Sequence, residues 1–377
     1  MKRRTFLASG VTTATLGVAG CISEVDDEGE NGADDTSDDT ETSDDGGANG
    51  DDGADTLTVA TYGSFIDAPS DSAGEWVKEQ FDERFDATLE WSAPDQEVNY
   101  FIERHNADAG IDADVYLGVR PHDLVRIDQS TDGGLLAETD ESRLDHAADI
   151  GEEYYFDPEG RAIPSYRSFC SLVYNGHEVE NPGSFEALLE DQYKGRFGLP
   201  NPQEGTTGLL FLLWTINEFG EDGYLEYWND LLDNDARIVN SWSDLYPQFE
   251  NDEIPVVVSY SNDRVYAKRA GNDLEKHQVG FLDGEAYANM LGMAPFADAS
   301  NEELAYEFMD FILEPEIQAG IAERNVTGPV NQETTPPEVY REYAEEPDEI
   351  VFFDYEELSG NLDDWVDEWG REIAGGR

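Results

Sequence analysis

The chain is short of positive charge: 22 Lys+Arg stand against 86 Asp+Glu in 377 residues, a formal charge of −64. Such a field repels phosphate backbones and anionic lipid surfaces, which argues against any nucleic-acid partner. Cysteine is nearly absent. Cys21 and Cys170 cannot make a disulfide scaffold or a cysteine-rich zinc site. The five histidines (His105, His122, His146, His177, His277) stand apart, with no HExxH or HxH spacing for a metal. No GxSxG nucleophile elbow occurs. A phosphate-cradling P-loop is missing too, because Gly205 and Gly208 are too close together and Leu209 stands where its lysine would follow. No catalytic residue or cofactor site emerges, and an exported hydrolase is left as a rival without a nucleophile. Aromatic residues, at 11%, are too frequent for a disordered acidic protein. A folded core is expected.

The ends of the chain differ from its middle. Lys2, Arg3 and Arg4 precede a short apolar-to-neutral run ending in Val18-Ala19-Gly20-Cys21. That run is too short and too rich in Gly and Thr to span a bilayer, but it suits an export signal. Arg3-Arg4 before Thr5-Phe6-Leu7 resembles a twin-arginine signal, and small residues before a lone cysteine resemble a lipobox. Residues 1–21 are therefore expected to be a signal, with Cys21 the lipid attachment point on the outer face of the membrane. Residues 22–55 carry 15 carboxylates and no basic residue. Their self-repulsion and lack of apolar surface make them a disordered acidic tether. Residues 56–377 are acidic in their own right, with 71 acidic and 19 basic residues. This resembles proteins of halophilic archaea, where dense salt screens the repulsion. In such a composition a pair of carboxylates carries no catalytic signal.

Strand-like and helix-like patterns alternate through the rest, predicting an α/β protein with mainly parallel sheets, in two lobes. Leu57–Tyr62, Ala113–Val119, Ser168–Tyr174 and Ile254–Tyr260 read as strands, and residues 72–85 and 206–219 as helices. Ser241-Trp-Ser-Asp244 and Ser300-Asn-Glu-Glu303 match a capping box, so helices are expected from Trp242 and near Asn301. In open α/β sheets ligands sit beyond the carboxyl ends of strands. That rule selects Tyr62-Gly63-Ser64, Gly118 to Arg120, and Tyr260-Ser261. Tyr62, Trp242, Tyr260, Tyr266, Trp365 and Trp369 fall where they could line a cleft and hold an organic cation by their ring faces. Core or interface packing is the plainer account of most of them, Trp365 and Trp369 above all, while Tyr260, which closes a buried strand before polar Ser261-Asn262, is the better ligand candidate. Gly205-Thr-Thr-Gly208, opening an apolar helix, offers free N–H groups to a ligand oxygen or is simply a capped turn.

Several of these segments together resemble a known family. Thr61-Tyr-Gly-Ser-Phe65, Ala113-Asp-Val-Tyr-Leu-Gly118, Gly205-Thr-Thr-Gly-Leu-Leu-Phe-Leu-Leu-Trp214, Ser241-Trp-Ser-Asp-Leu-Tyr246, Val258-Ser-Tyr260 with Tyr266, and Trp365-Val-Asp-Glu-Trp369 are similar, in this order, to the thiamine-binding solute receptors of ABC importers. The resemblance runs from about Leu57 to the C-terminus. It implies a two-lobed periplasmic-binding-protein fold (type II), with parallel or mixed sheets flanked by helices, lobe 1 from 56–163 and 262–335 and lobe 2 from 164–261 and 336–377. It implies a receptor and not an enzyme, a monomer that hands its ligand to a permease and its ATPase subunits. The ligand would be thiamine, thiamine phosphate or thiamine diphosphate, gripped by Tyr62, Thr207, Trp242, Tyr260, Tyr266 and Trp365, with Ser64 at the first strand tip. Asp114 resembles a family acid near the pocket, and a solvated acid at a strand start would look the same.

This sequence departs from the family pattern at three places. Gly63 stands where Asp is frequent, Pro69 lies where a tryptophan is expected, and Arg120 replaces a common acid. A guanidinium there pairs well with phosphate, which would shift preference towards phosphorylated thiamine. Ferric-iron and polyamine receptors are the nearest alternatives. Tyr154-Tyr155 is the adjacent tyrosine pair that an iron site would use.

Overall fold

A computed structural model describes residues 55–67, 72–325 and 327–375. The expected signal, Cys21, the tether up to Ala54, and Pro69 lie outside the described residues.

Strand β1 (Asp55–Ala60) leads through the short helix α1 (Gly63–Ile66) and α2 (Gly74–Arg84) to β2 (Ala87–Ser92). Helix α3 (Val98–Asn106), β3 (Val115–Val119), α4 (Pro121–Ser130) and the long strand β4 (Ile163–Tyr174) follow. Then come β5 (Phe197–Pro200), α5 (Thr206–Phe219), α6 (Tyr224–Asp233), β6 (Arg237–Val239), α7 (Trp242–Glu250), β7 (Val256–Tyr260) and α8 (Asp263–Ala270). Strands β8 (Gln278–Gly280) and β9 (Glu285–Pro295) precede α9 (Glu302–Leu313), α10 (Pro315–Arg324), β10 (Gly328–Pro329) and α11 (Glu338–Tyr343). Strand β11 (Glu349–Val351) and α12 (Tyr355–Trp369) end the described chain, apart from a final π-helical turn.

The expected strands and helices are present within a few residues; the sheet is mixed, within what the resemblance implies, and less parallel than the strand–helix alternation alone predicts. Its order is β2-β1-β3-β9-β4-β7-β5-β6, with β8 and β10 on β4 and β11 on β9. The outer pairs β1–β2, β1–β3, β5–β6 and β5–β7 run parallel. The two long strands β4 and β9 lie antiparallel to each other and join the halves. Each of them serves two cores. Ile163, Tyr166, Leu291 and Met293 pack with β1, β2, α2, α9 and α10, whereas Cys170, Leu172 and Tyr287 pack with α5, α6, β7 and α12.

The helices follow local rules. Helix α5 is buried continuously from Thr207 to Ile216, as a helix apolar on every side must be. Gly208 lets it press on the end of β5: a Cβ there would meet the Pro200 carbonyl oxygen at 2.6 Å. Ser241 caps α7 by accepting from the Asp244 amide at 3.1 Å. At α9 the cap is Asn301, not Ser300; Asn301 Oδ1 accepts from the Leu304 amide at 3.2 Å. Ser300 is spent on Asp114, whose Oδ1 accepts from the Ser300 amide at 2.7 Å and its hydroxyl at 2.8 Å.

Candidate functional site

Where the two cores meet, a cavity of about 320 Å³ opens among the strand tips and helix starts, a size that suits a small organic ligand. Tyr62, Ser64, Arg120, Thr207, Trp242, Tyr260 and Tyr266 line it. Seven of the nine residues expected at a ligand site are thus brought together from seven separate elements and turns.

Each ring is held from behind. Tyr62 leaves β1 in extended conformation, packs edge-on against Phe65 at 5.8 Å, and its hydroxyl accepts from Asn325 Nδ2 at 2.8 Å. The same Asn325 accepts, through its carbonyl, from the Tyr266 hydroxyl at 3.0 Å. One asparagine at the end of α10 therefore fixes two tyrosines. Gly118 makes room for the Tyr62 ring: its φ is +102°, and a Cβ would lie 2.7 Å from Cδ1 of that ring. Tyr260 ends β7 with its hydroxyl 2.9 Å from Thr207 Oγ1. Trp242 opens α7, donates its indole N–H to Ser259 Oγ at 3.0 Å, and stacks on Tyr246 at 4.8 Å. Burial pushes the Tyr260 phenol up to about 12, against the Thr207 hydrogen bond, and also raises that of Tyr62. Both rings are neutral phenols near pH 7, with electron-rich faces of the kind that attract a cation; that of Tyr62 already carries the Arg120 guanidinium.

The charge around the cavity is unbalanced. Glu97 and Glu204 are its acids and Arg120 its base. Arg120 is buried, and its Nη1 lies 3.1 Å from Glu97 Oε2 and 3.5 Å from Asp123 Oδ2. Burial opposes the guanidinium charge, but the two carboxylates outweigh that and hold its pKa above the ordinary arginine value. The guanidinium also lies 5.2 Å over the Tyr62 ring. Glu97 has φ 46° and ψ −126°, a conformation natural to glycine that strains other residues by about 1–3 kcal/mol.

Among the described residues, three further polar atoms at this cavity are buried without a hydrogen-bond partner: Arg120 Nε, Asn289 Oδ1 and Thr327 Oγ1. Asn289 is held by donating through Nδ2 to Ser168 Oγ at 3.1 Å. Buried polar groups left unpaired are costly, so these atoms suit a ligand with both donors and acceptors.

Two expected site residues lie elsewhere. Asp114 is buried under β1 and α9, where its carboxylate accepts from the Thr58 amide at 2.9 Å and from Ser300; it stitches those elements together. Trp365 belongs to the inward stripe Leu358, Leu362, Trp365, Trp369 of α12. It packs on Phe353 at 4.9 Å and donates to Glu221 at 3.2 Å. Neither lines the cavity. Tyr154 and Tyr155 are also outside it: Tyr154 packs on the first core, and exposed Tyr155 donates to Glu141.

Behind Trp242 and Tyr246 sits a buried polar cluster. Tyr246 donates to Asp263 Oδ1, and His277 Nδ1 lies 2.7 Å from Asp263 Oδ2, with Nε2 3.5 Å from Glu250. Burial disfavours the imidazolium, yet the Asp263 hydrogen bond and the Asp263 and Glu250 charges raise the His277 pKa above 6.5 despite Lys276. A raised folded-state pKa contributes stability that is complete below about 6.5 and is lost as pH rises through the folded value. The melting temperature is therefore expected to fall as pH rises above about 6.5, and His277→Asn should flatten that slope. An unchanged slope would show that this cluster is not its source.

The profile of a family described as bacterial extracellular solute-binding protein matches residues 76–347. The chain belongs to that family, and its mixed sheet flanked by helices is the type II periplasmic-binding-protein fold. Among curated proteins it is 26% identical over 319 residues to the thiamine-binding periplasmic protein of Escherichia coli K12, covering 84% of this chain and 93% of that one. The thiamine-binding periplasmic protein of Brucella suis is 23% identical over 323 residues, covering 84% and 91%. Among solved structures, a periplasmic thiamin binding protein superposes with a TM-score of 0.73 at 24% identity, over 84% of this chain and 96% of that one. The ferric binding protein of Campylobacter jejuni shares the fold, with a TM-score of 0.69 at 16% identity, over 84% and 99%. Families of this kind bind solutes; binding, not turnover, is the task to explain.

Proposed function

We propose that the protein is the extracytoplasmic receptor of an ABC importer and binds thiamine or a phosphate ester of it. The observation that carries the reading is the meeting of Tyr62, Trp242, Tyr260 and Tyr266 in one cavity whose charged lining is net acidic. A thiazolium is a delocalised cation and an aminopyrimidine a flat donor–acceptor ring. Aromatic faces attract the first by cation–π contact and stack on the second, while Asn289, Thr327 and Thr207 offer hydrogen bonds to its edges. The names of the relatives point to the same ligand.

In this reading the two cores are lobes that close over the ligand, divided roughly as 56–163 with 262–335 and 164–261 with 336–377, except that Tyr166 packs in the first core and Val125, Leu282 and Tyr287 in the second. Tyr62 packs against the first core and Tyr260 against the second, so a ligand touching both gains contacts only in the closed state. The receptor acts as a monomer, exported through its twin-arginine signal and held to the membrane by lipid on Cys21. It delivers its cargo to a permease and ATPase pair, in an environment salty enough to screen its acidic surface.

A titration panel tests this. The purified full chain, in molar salt, is titrated with thiamine, its mono- and diphosphate, putrescine and ferric ion while tryptophan fluorescence is followed. Saturable binding of a thiamine-class ligand, with putrescine and iron inert, is expected. Selective binding of putrescine, or of iron with a tyrosinate colour, would replace the proposal by the polyamine or the iron reading.

A further inference from the structure

We propose that Glu97 neutralises Arg120 and thereby makes the cavity select the unphosphorylated cation over its phosphate esters. The inference rests on the thiamine reading and deepens it. Taken alone, a buried arginine at the cavity wall looks like a phosphate anchor. In the folded protein, however, its one positive charge already faces two carboxylates, Glu97 at 3.1 Å and Asp123 at 3.5 Å, and its outer face lies over the Tyr62 ring. Glu97 and Asp123 match the charges of Arg120 and of Arg126, which also acts on Asp123, so no free positive charge is left before any ligand arrives, and Glu204 adds a negative one at the same cavity.

The backbone gives an independent reason to assign Glu97 a role. Its φ of 46° with ψ −126° is a glycine conformation, reached in a turn whose amide donates to the Pro94 carbonyl at 2.9 Å. A glycine would hold this turn without strain; a glutamate adds strain and a carboxylate aimed at Arg120. Strain sustained at a ligand cavity is most simply tied to what the side chain does there. The carboxylate is partly open to the cavity, with 39% of the side chain exposed, so an entering cation meets it and an entering phosphate is repelled by it.

The test compares the affinities of thiamine and thiamine monophosphate for the full chain and two variants, at one salt concentration, by calorimetry. Wild type is expected to favour thiamine by at least about tenfold. Glu97→Gln keeps the shape and removes the charge, freeing Arg120, and should move the ratio at least about tenfold towards the ester. Glu97→Gly should move it the same way and melt higher than Glu97→Gln, because both lose the ion pair and only glycine relieves the strain. Wild-type preference for the ester, or a ratio untouched in both variants while thiamine still binds, overturns the inference and leaves the thiamine reading standing. Failure of wild type to bind either ligand overturns both.

Discussion

Replacing Tyr260 by alanine is expected to weaken thiamine binding by about two orders of magnitude, with little change in melting temperature. The ring is half-buried at the open end of β7 and faces the cavity. Its removal subtracts one aromatic face from a buried cation, worth about 0.5–2 kcal/mol, together with the apolar area that the ligand covers. It also strips Thr207 Oγ1 of its partner at 2.9 Å. Together these losses amount to about 2–3 kcal/mol, or roughly 30- to 150-fold in affinity. Tyr260→Phe separates the contributions: it keeps the ring and should recover most of the affinity. An alanine variant that binds as well as wild type, measured by calorimetry, would mean that the ring is not a ligand contact.

Trp369→Ala should behave in the opposite way. Trp369 is fully buried on α12, edge-on to Trp228 at 5.1 Å within the second core. Emptying that space is expected to destabilise the fold by about 3–5 kcal/mol, read as a shift in denaturant midpoint, while the affinity of the remaining folded protein changes little. A large loss of affinity at unchanged stability would place Trp369 near the ligand instead. The contrast between the two variants is sharper than either alone, because both remove one large ring from the same core's surroundings.

Much of the cavity's lining was legible because its residues obey local rules. Tyr62, Arg120 and Tyr260 stand at or just beyond strand ends, where a parallel α/β arrangement exposes side chains, and Trp242 follows a capping serine. Trp365 shows where such rules stop. Its spacing with Trp369 identifies a shared helix face, but only the packing of α12 on Phe353 and the second core decides what that face meets. Asp114 lies apart from the cavity for a related reason: its partners at Ser300 and Asn301 lie some way along the chain, beyond any local pattern.

Other cavity residues left no usable trace. Glu97 is one carboxylate among 86 acidic residues, and its strained backbone is invisible in composition. Asn325 looks like an ordinary helix end until two tyrosines converge on it. Asn289 did carry a signal, as a lone amide inside the apolar run Tyr287-Ala-Asn-Met-Leu-Gly-Met293. A polar group on a buried strand needs a partner, and that requirement points to a ligand cavity.

The mixed sheet was the least accessible feature. Strand β9 is a nearly continuous apolar run and β4 is buried almost throughout despite its serines and Arg167; both fit a covered sheet of either sense, and their antiparallel pairing is settled only by the register from Ile163↔Met293 to Cys170↔Tyr287. That pairing is what carries the chain from one core to the other and sets Tyr62 and Tyr260 around a common space.

A crystal structure of the protein grown with thiamine is the most direct measurement. The thiazolium and pyrimidine rings are expected in van der Waals contact with Tyr260 and Trp242 on one side and Tyr62 or Tyr266 on the other. Thiamine seated elsewhere, or this cavity closed by its own side chains with the vitamin excluded, would contradict it.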